Sequence, residues 1–254
     1  MGSVLLAVVA AAGLAEEFDW HRFEVAGRPA FMILPEAEKR REPMPWVMYA
    51  PTFDKSLPNE AHEGWMFRRW LAAGIAIAGV DVGESFGSPQ GRATYNALHK
   101  QLTTGSPQFA PRASLLSRSR GGLMLYNWAA ENPDKVKCIA GIYPVCDLRS
   151  YPGLARACDA YGMTEGELAA VLSQHNPVDR LAPLAKADIP IFHIHGDADQ
   201  VVPMTANSGA FALRYLGLGG QMQVLSIPGQ GHNMWSGFFE CEPLVNFVME
   251  HATK

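Results

Sequence analysis

Short apolar runs recur along the chain at residues 46–50, 75–82, 113–116, 136–143, 191–194 and 222–227, each bounded by Pro, Gly or polar residues. Runs of this length with such boundaries predict strands. Between them lie longer segments with helical spacing, at 60–73, 121–131, 205–216 and 242–251; in the last, Leu244, Phe247 and Val248 share one face. Residues 23–35, with Gly27-Arg28 between apolar flanks, predict an antiparallel hairpin at the start of the sheet. From Tyr143 to Ile191 the strand pattern lapses, which predicts a small cap over about 147–188. Within it, residues 164–173 read as a helix capped by Thr164, with Glu165 and Glu167 in its first turn. A cap of this size narrows a cleft and builds no deep tunnel.

The alternation of strand and helix predicts an α/β fold with a mostly parallel central sheet flanked by helices on both faces, in one domain over residues 16–254. In such a sheet, ligands gather beyond the carboxyl ends of the strands, so chemistry is sought in the loops that follow strands. Composition agrees: 48% of residues are hydrophobic and 18% charged, as a sheet covered on both faces requires. The 21 basic and 25 acidic residues, net charge −4, provide no basic footprint for phosphates, and no nucleic-acid partner is expected. No apolar run reaches the roughly 18 residues that span a bilayer, so no membrane insertion is expected.

Residues 4–12 form an apolar stretch of signal-peptide length, and Gly13-Leu14-Ala15 offers small residues where a signal peptidase cuts. Residues 1–15 are accordingly read as a leader or N-terminal extension. The first reading implies a secreted or periplasmic protein and the second a cytoplasmic one. The four cysteines fit no zinc spacing, and Cys146 with Cys158 is the pairing to test for a disulfide. Nothing in the sequence implies a metal or organic cofactor.

Three loops carry side chains that can do chemistry. The run Leu115-Leu116-Ser117-Arg118-Ser119-Arg120-Gly121-Gly122 takes a strand through a small-residue turn into a helix. It resembles the nucleophile elbow of the α/β-hydrolase family, Gly-x-Ser-x-Gly, with Ser119 as nucleophile and Ser117 in place of the first glycine. The run His195-Gly196-Asp197-Ala198-Asp199-Gln200-Val201-Val202-Pro203 resembles the family's acid loop and selects Asp199. Asp197 is a turn former within that loop by this reading, and Asp147, after the preceding strand, is a rival acid. The run Pro228-Gly229-Gln230-Gly231-His232-Asn233 follows the last strand and presents His232 as base. Ser, Asp, His is the order the resemblance requires.

The resemblance implies a serine hydrolase of the esterase or prolyl-oligopeptidase-like branch, working through an acyl-enzyme. The Arg120 backbone amide is then one oxyanion donor, and Thr52 or Phe53, after the strand at 46–50, supplies the second; Pro51 has no N–H to give. The loop Asp81-Val82-Gly83-Glu84-Ser85-Phe86-Gly87-Ser88 resembles another loop of the fold. Its Glu84 is a candidate for the cleft, against the plainer reading of a solvated carboxylate. Arg120 also resembles the Ser-Arg step of glucuronoyl esterases and is a candidate to grip an anionic or hydroxyl-rich substrate. Arg118 alternates away from Ser119 and is a candidate to pair with a buried acid. The expected activity is a carboxylic-ester hydrolase, on a small-molecule or carbohydrate ester, the carbohydrate acylated or uronate-bearing. The alternatives are a prolyl-oligopeptidase-like peptidase, set second because 254 residues leave no room for the extra domain such enzymes carry, and an inactive ligand-binding relative.

Overall fold

The apolar runs become strands because alternate residues of each can be buried on opposite faces of one sheet. In a computed structural model, which describes residues 18–53, 56–105 and 107–253, these strands form a single mixed sheet. The leader reading of residues 1–15 lies outside the described residues. The strands are β1 (Trp20–Val25), β2 (Arg28–Ile33), β3 (Trp46–Ala50), β4 (Ala76–Val80), β5 (Ala113–Arg118), β6 (Val136–Ile142), β7 (Ile191–Gly196) and β8 (Met222–Ile227). Their spatial order is β1-β2-β4-β3-β5-β6-β7-β8. β1, β2 and β4 pair antiparallel, and every pair from β4 through β3 to β8 is parallel.

The helices are α1 (Glu60–Ala72), α2 (Pro89–Thr104), α3 (Gly121–Glu131), α4 (Leu154–Tyr161), α5 (Glu165–Ala170), α6 (Ala182–Lys186), α7 (Ala210–Gly217), α8 (Ser236–Phe239) and α9 (Glu242–Ala252). The two faces show in β3, where Trp46, Met48 and Ala50 join a core with Tyr95 and Leu98 of α2 and Met124 and Leu125 of α3. Val47 and Tyr49 face the other way, onto Met66, Phe67 and Trp70 of α1 and Leu244, Val245 and Val248 of α9. Burying each such aliphatic or aromatic side chain contributes roughly 1.5–3 kcal/mol, which binds the helices to the sheet. A third cluster, including Phe86, Leu123, Val145, Leu148, Tyr161, Leu168 and Val202, seats α4 and α5 near the carboxyl ends of the strands. There Thr164 accepts a bond from the Glu167 amide while the Glu167 carboxylate reaches back to the Thr164 amide.

Local detail departs from expectation in several places. The hairpin turns on Ala26 and Gly27, at φ 51° and 71°, and Arg28 already belongs to β2, because two positive-φ residues match the twist of the flanking strands. α2 was not legible as a helix: its buried stripe contains Gly91, Arg92 and His99 among Tyr95, Leu98 and Leu102, so the apolar periodicity is broken. Arg92 is accommodated there by Glu131, 2.9 Å away, and by the Gly87 carbonyl at 2.6 Å. Residues 205–209 form a wide π-type turn before α7. Cys146 and Cys158 are not joined: all four cysteines are buried and free. Cys146 Sγ lies 3.6 Å from the Pro144 carbonyl and Cys158 Sγ 3.4 Å from the Ala155 carbonyl.

Strand order decides where a site can form. From β3 the chain passes through α1 to β4 on one side, then returns through α2 across β3 to β5 on the other. The connections therefore diverge at the carboxyl ends of β3 and β5, leaving a crevice there.

Candidate active site

β5 continues past its apolar run to Arg118, and the next residue, Ser119, adopts φ 50°, a left-handed conformation that strains any residue bearing a Cβ. Backbone bonds on both sides hold it there. The Ser119 amide donates to the Ile142 carbonyl (3.0 Å), and its carbonyl accepts from the amides of Gly122 (3.0 Å) and Val145 (2.8 Å). The turn also needs small residues. A Cβ on Gly121 would stand 2.1 Å from the Ala50 carbonyl oxygen, and one on Gly122 would stand 2.3 Å from that of Val145. Ser117, where a glycine was the family expectation, fits because its sheet neighbours are Ala50 and Gly141; its hydroxyl donates to the Ala140 carbonyl at 3.2 Å.

Ser119 Oγ lies 2.9 Å from His232 Nε2, and His232 Nδ1 lies 2.8 Å from Asp199 Oδ2. A carboxylate only accepts, so Nδ1 carries the imidazole proton and Nε2 is left with a lone pair facing the Ser119 hydroxyl. Asp199 is buried at the end of β7. Its Oδ1 accepts from the amides of Val201 (3.0 Å) and Val202 (2.8 Å). Burial by itself would raise its pKa; the bonds from His195, His232 and the Val202 amide outweigh burial and hold the carboxyl well below the usual carboxylate range. The base loop comes close to the acid loop because residue 196 is glycine: a Cβ there would stand 2.1 Å from the Gln230 carbonyl oxygen. α3 starts immediately after Arg120, so the positive end of its backbone dipole faces the Ser119 turn.

Residues 111–251, more than half of the chain and the part holding Ser119, Asp199 and His232, match the prolyl oligopeptidase family. The chain belongs to the prolyl oligopeptidase family. The family is one of serine hydrolases, and the chain has the α/β-hydrolase fold. No curated protein matches the chain in sequence. Among solved structures, a puromycin-hydrolyzing peptidase from Mycobacterium tuberculosis superposes with a TM-score of 0.71 at 16% identity, over 95% of this chain and 42% of that one. An S-formylglutathione hydrolase from Agrobacterium tumefaciens gives 0.72 at 15% identity, over 92% and 94%. Est1E from Butyrivibrio proteoclasticus gives 0.68 at 19%, over 92% and 99%. At these identities the likeness is one of fold, and this family member spans less than half the length of the puromycin-hydrolyzing peptidase.

His232 Nδ1 faces Asp199, and Asp147 is engaged elsewhere. Arg149 grips it from Nε and Nη2, at 2.9 and 2.7 Å, and Asn176 donates to it at 3.2 Å. Asp197 does not close its own loop as expected: it accepts from the Gly229 amide at 2.7 Å and so ties the acid loop to the base loop. Phe53 is corrected as an oxyanion donor, since its amide is bonded to the Leu57 carbonyl at 3.1 Å. Among the described residues the amides of Thr52 and Arg120 have no acceptor. Glu84 forms an ion pair with Arg120, whose guanidinium also lies over the Phe53 ring.

Arg118 turns away from the crevice to the fully buried Glu63 of α1, at 2.6 Å. Glu63 also accepts from the Tyr49 hydroxyl (2.8 Å) and the Asn59 amide (2.8 Å). Burial would lower the Arg118 pKa, but Tyr49 and Glu63 outweigh it and keep the guanidinium charged. Its Nη2 contacts Met234 Sδ at 3.0 Å, joining the nucleophile strand to the base loop. Tyr143 is a residue that sequence reasoning missed. At φ 36° after β6, it sets its ring 4.4 Å from that of His232. Its only sequence signal is its place at the end of a strand, shared by every loop of the sheet.

Proposed function

We propose that the protein is a serine hydrolase acting on carboxylic esters through an acyl-enzyme. The observation that carries this reading is the hydrogen-bonded chain from Ser119 through His232 to Asp199. His232 Nε2 removes the Ser119 hydroxyl proton as Oγ forms a bond to the substrate carbonyl carbon, whose oxygen becomes an oxyanion. The amides of Arg120 and Thr52 stabilise that oxygen, and the α3 dipole adds to them. Collapse of the intermediate breaks the carbonyl–alkoxy bond, and the imidazolium returns its proton to the departing alcohol. Water, deprotonated by His232, then attacks the acyl-Ser119 carbonyl carbon, and as the bond to Ser119 Oγ breaks the imidazolium returns its proton to that oxygen and the acid is released. Asp199 holds the Nδ1–H tautomer throughout and stabilises the imidazolium.

The preference for an ester over a peptide is supported by the rim. Arg120 and Glu84 offer a donor and an acceptor side by side with little net charge, which suits a hydroxyl-bearing or acylated carbohydrate better than an anionic uronate. Met234 and Trp235, exposed beside His232, add an apolar margin for an acyl group. Est1E and the S-formylglutathione hydrolase also match this chain over nearly their whole lengths. The second reading, a peptidase, is favoured by the family and by the likeness to the puromycin-hydrolyzing peptidase. Export of the protein remains a proposal resting on residues 4–12 alone.

Labelling with a fluorophosphonate, followed by rates on nitrophenyl esters, acetylated sugars and short peptide anilides, tests both readings. Ser119 labelling with esters turned over at least tenfold faster than anilides is expected. Absence of labelling sinks the hydrolase, and faster anilide cleavage moves the assignment to peptidase.

A further inference from the structure

Behind Asp199 the core holds two histidines that the reaction as described does not use. His193 and His195 lie on β7, both fully buried, and both point their Nδ1 atoms at one hydroxyl, Ser208 Oγ, at 2.9 and 2.8 Å. His195 Nε2 lies 2.9 Å from the Val202 carbonyl and 3.3 Å from Asp199 Oδ2, the oxygen that also receives His232. At the far end, His193 Nε2 is hydrogen-bonded to the hydroxyl of Tyr126, on α3.

The Val202 carbonyl only accepts, so His195 Nε2 carries hydrogen. One proton order satisfies every contact with both buried imidazoles neutral, as the cost of burying charge favours, and in it His195 Nδ1 accepts from the Ser208 O–H. Ser208 has no further proton, and His193 Nδ1–H must donate to it. His193 Nε2 is then an acceptor, satisfied by the Tyr126 O–H. The donors run in one direction, Tyr126 to His193 to Ser208 to His195, and end between the Val202 carbonyl and the Asp199 carboxylate. No side chain in the chain is left without a partner, which a buried polar network requires.

We propose that His195 is a positioning residue for Asp199, held in its Nε2–H tautomer by the Ser208–His193–Tyr126 chain. It acts in two ways. It grips the carbonyl of Val202, whose amide holds Asp199 Oδ1, and so keeps the acid loop in place. It also places a second N–H against Oδ2, which draws charge from the oxygen that His232 uses and lowers the basicity of the His232–Asp199 pair. The other titratable groups near the chain are His232, beyond the carboxylate, with the Tyr143 ring packed beside it, and Tyr215 and Cys146 near Tyr126, the Cys146 thiol being pushed up by burial. This inference rests on reading Asp199 as the acid of the triad.

Nitrogen-15 spectra of the histidine rings in the whole protein test the proton order without any assay. His195 is expected protonated at Nε2 and His193 at Nδ1; the reverse order, or a charged ring at neutral pH, overturns the proposal. Kinetics then test the role. His195→Leu removes the donor, so the acidic limb of the kcat/KM profile should move about one unit to higher pH, and kcat should fall about tenfold with KM little changed, the equivalent of one hydrogen bond. His195→Gln, which can return an N–H near the Nε2 position, should restore most of both. If His195→Leu does not fold, Ser208→Ala frees the tautomer and should move the limb in the same direction by less. An unmoved limb in His195→Leu, or in Ser208→Ala where His195→Leu does not fold, with losses only in thermal stability, makes the chain merely structural. Failure of the triad reading would appear separately, as an active Ser119→Ala enzyme with the tautomers unchanged.

Discussion

The acid loop and the rim both contain an Asp or Glu facing a basic side chain, yet they are built on opposite principles. Asp199 is buried, and its carboxylate is engaged by two backbone amides and two imidazoles drawn from β7, its own loop and the base loop. Glu84 is paired with Arg120 at a rim where both side chains are partly solvated, 47% and 32% exposed. Burial makes every partner of Asp199 indispensable, because an orphaned charge in the interior has no water to turn to. Solvent makes the partners of Glu84 replaceable, since water and salt screen the pair. On the proposed reading, chemistry belongs to the interior end of the site and substrate choice to its solvated edge.

The comparison predicts a graded series of losses. Ser119→Ala should cost several orders of magnitude in kcat with the fold intact, and adding His232→Ala should cost little more, as expected for groups that act as one unit. Additive losses in that cycle would assign the two residues separate roles. Asp199→Asn should follow, at about a thousandfold or more, because an amide in this position favours the wrong imidazole tautomer. Asp147→Asn should leave turnover within a few-fold, and the opposite ranking would return the acid to the loop after β6.

Glu63→Gln extends the interior half of the comparison away from the chemistry. It leaves the Arg118 guanidinium buried against no carboxylate, and denaturant titration should record a loss of about 3–5 kcal/mol. Replacing the pair together, as Glu63→Leu with Arg118→Met, should recover most of that stability. If the double variant is no more stable than Glu63→Gln, the pair is not the source of the effect.

The interior groups also set the pH dependence of stability. Burial, with the neighbouring His195, lowers the pKa of His193 well below its ordinary value, so the unfolded chain binds the extra proton below about pH 6.5 and stability declines as pH falls through that range. Asp199 has a depressed pKa, and its contribution is present above about pH 4 and is lost as pH falls further. Unfolding midpoints measured from pH 8 to 3 should therefore decline in two stages. His193→Gln should flatten the upper stage in part, leaving His99 and His175, which burial also lowers. A midpoint independent of pH across that upper range would contradict the burial of neutral histidines.

The smallest effect belongs to the rim. Arg120→Ala should change turnover of small neutral esters by under about 1 kcal/mol, since the backbone amide remains and the ion pair is exposed. A larger loss on hydroxyl-rich esters than on neutral ones would assign the pair to substrate selection. Equal losses would assign it to the elbow itself.

What the sequence alone determined is local. The run at 46–50 reads as a strand because burial on both faces of a sheet requires an unbroken apolar stretch, and that at 222–227 because its apolar residues are broken only by Gln223 and Ser226; the two match β3 and β8 residue for residue. Ser119, Asp199 and His232 could be singled out because an elbow and a strand-end loop demand particular small and polar neighbours within a few positions. Only the tertiary structure decided partners distant along the chain. It joined Arg118 to Glu63, Arg120 to Glu84, and Asp197 to the amide of Gly229, and it gave the Phe53 amide to Leu57, leaving Thr52. It also made a helix of residues 89–104, whose buried face includes an arginine that is tolerable only beside Glu131. The reason is physical: periodicity records whether a position is buried, whereas the neutralising partner of a buried or rim charge depends on which distant segments the sheet order brings together.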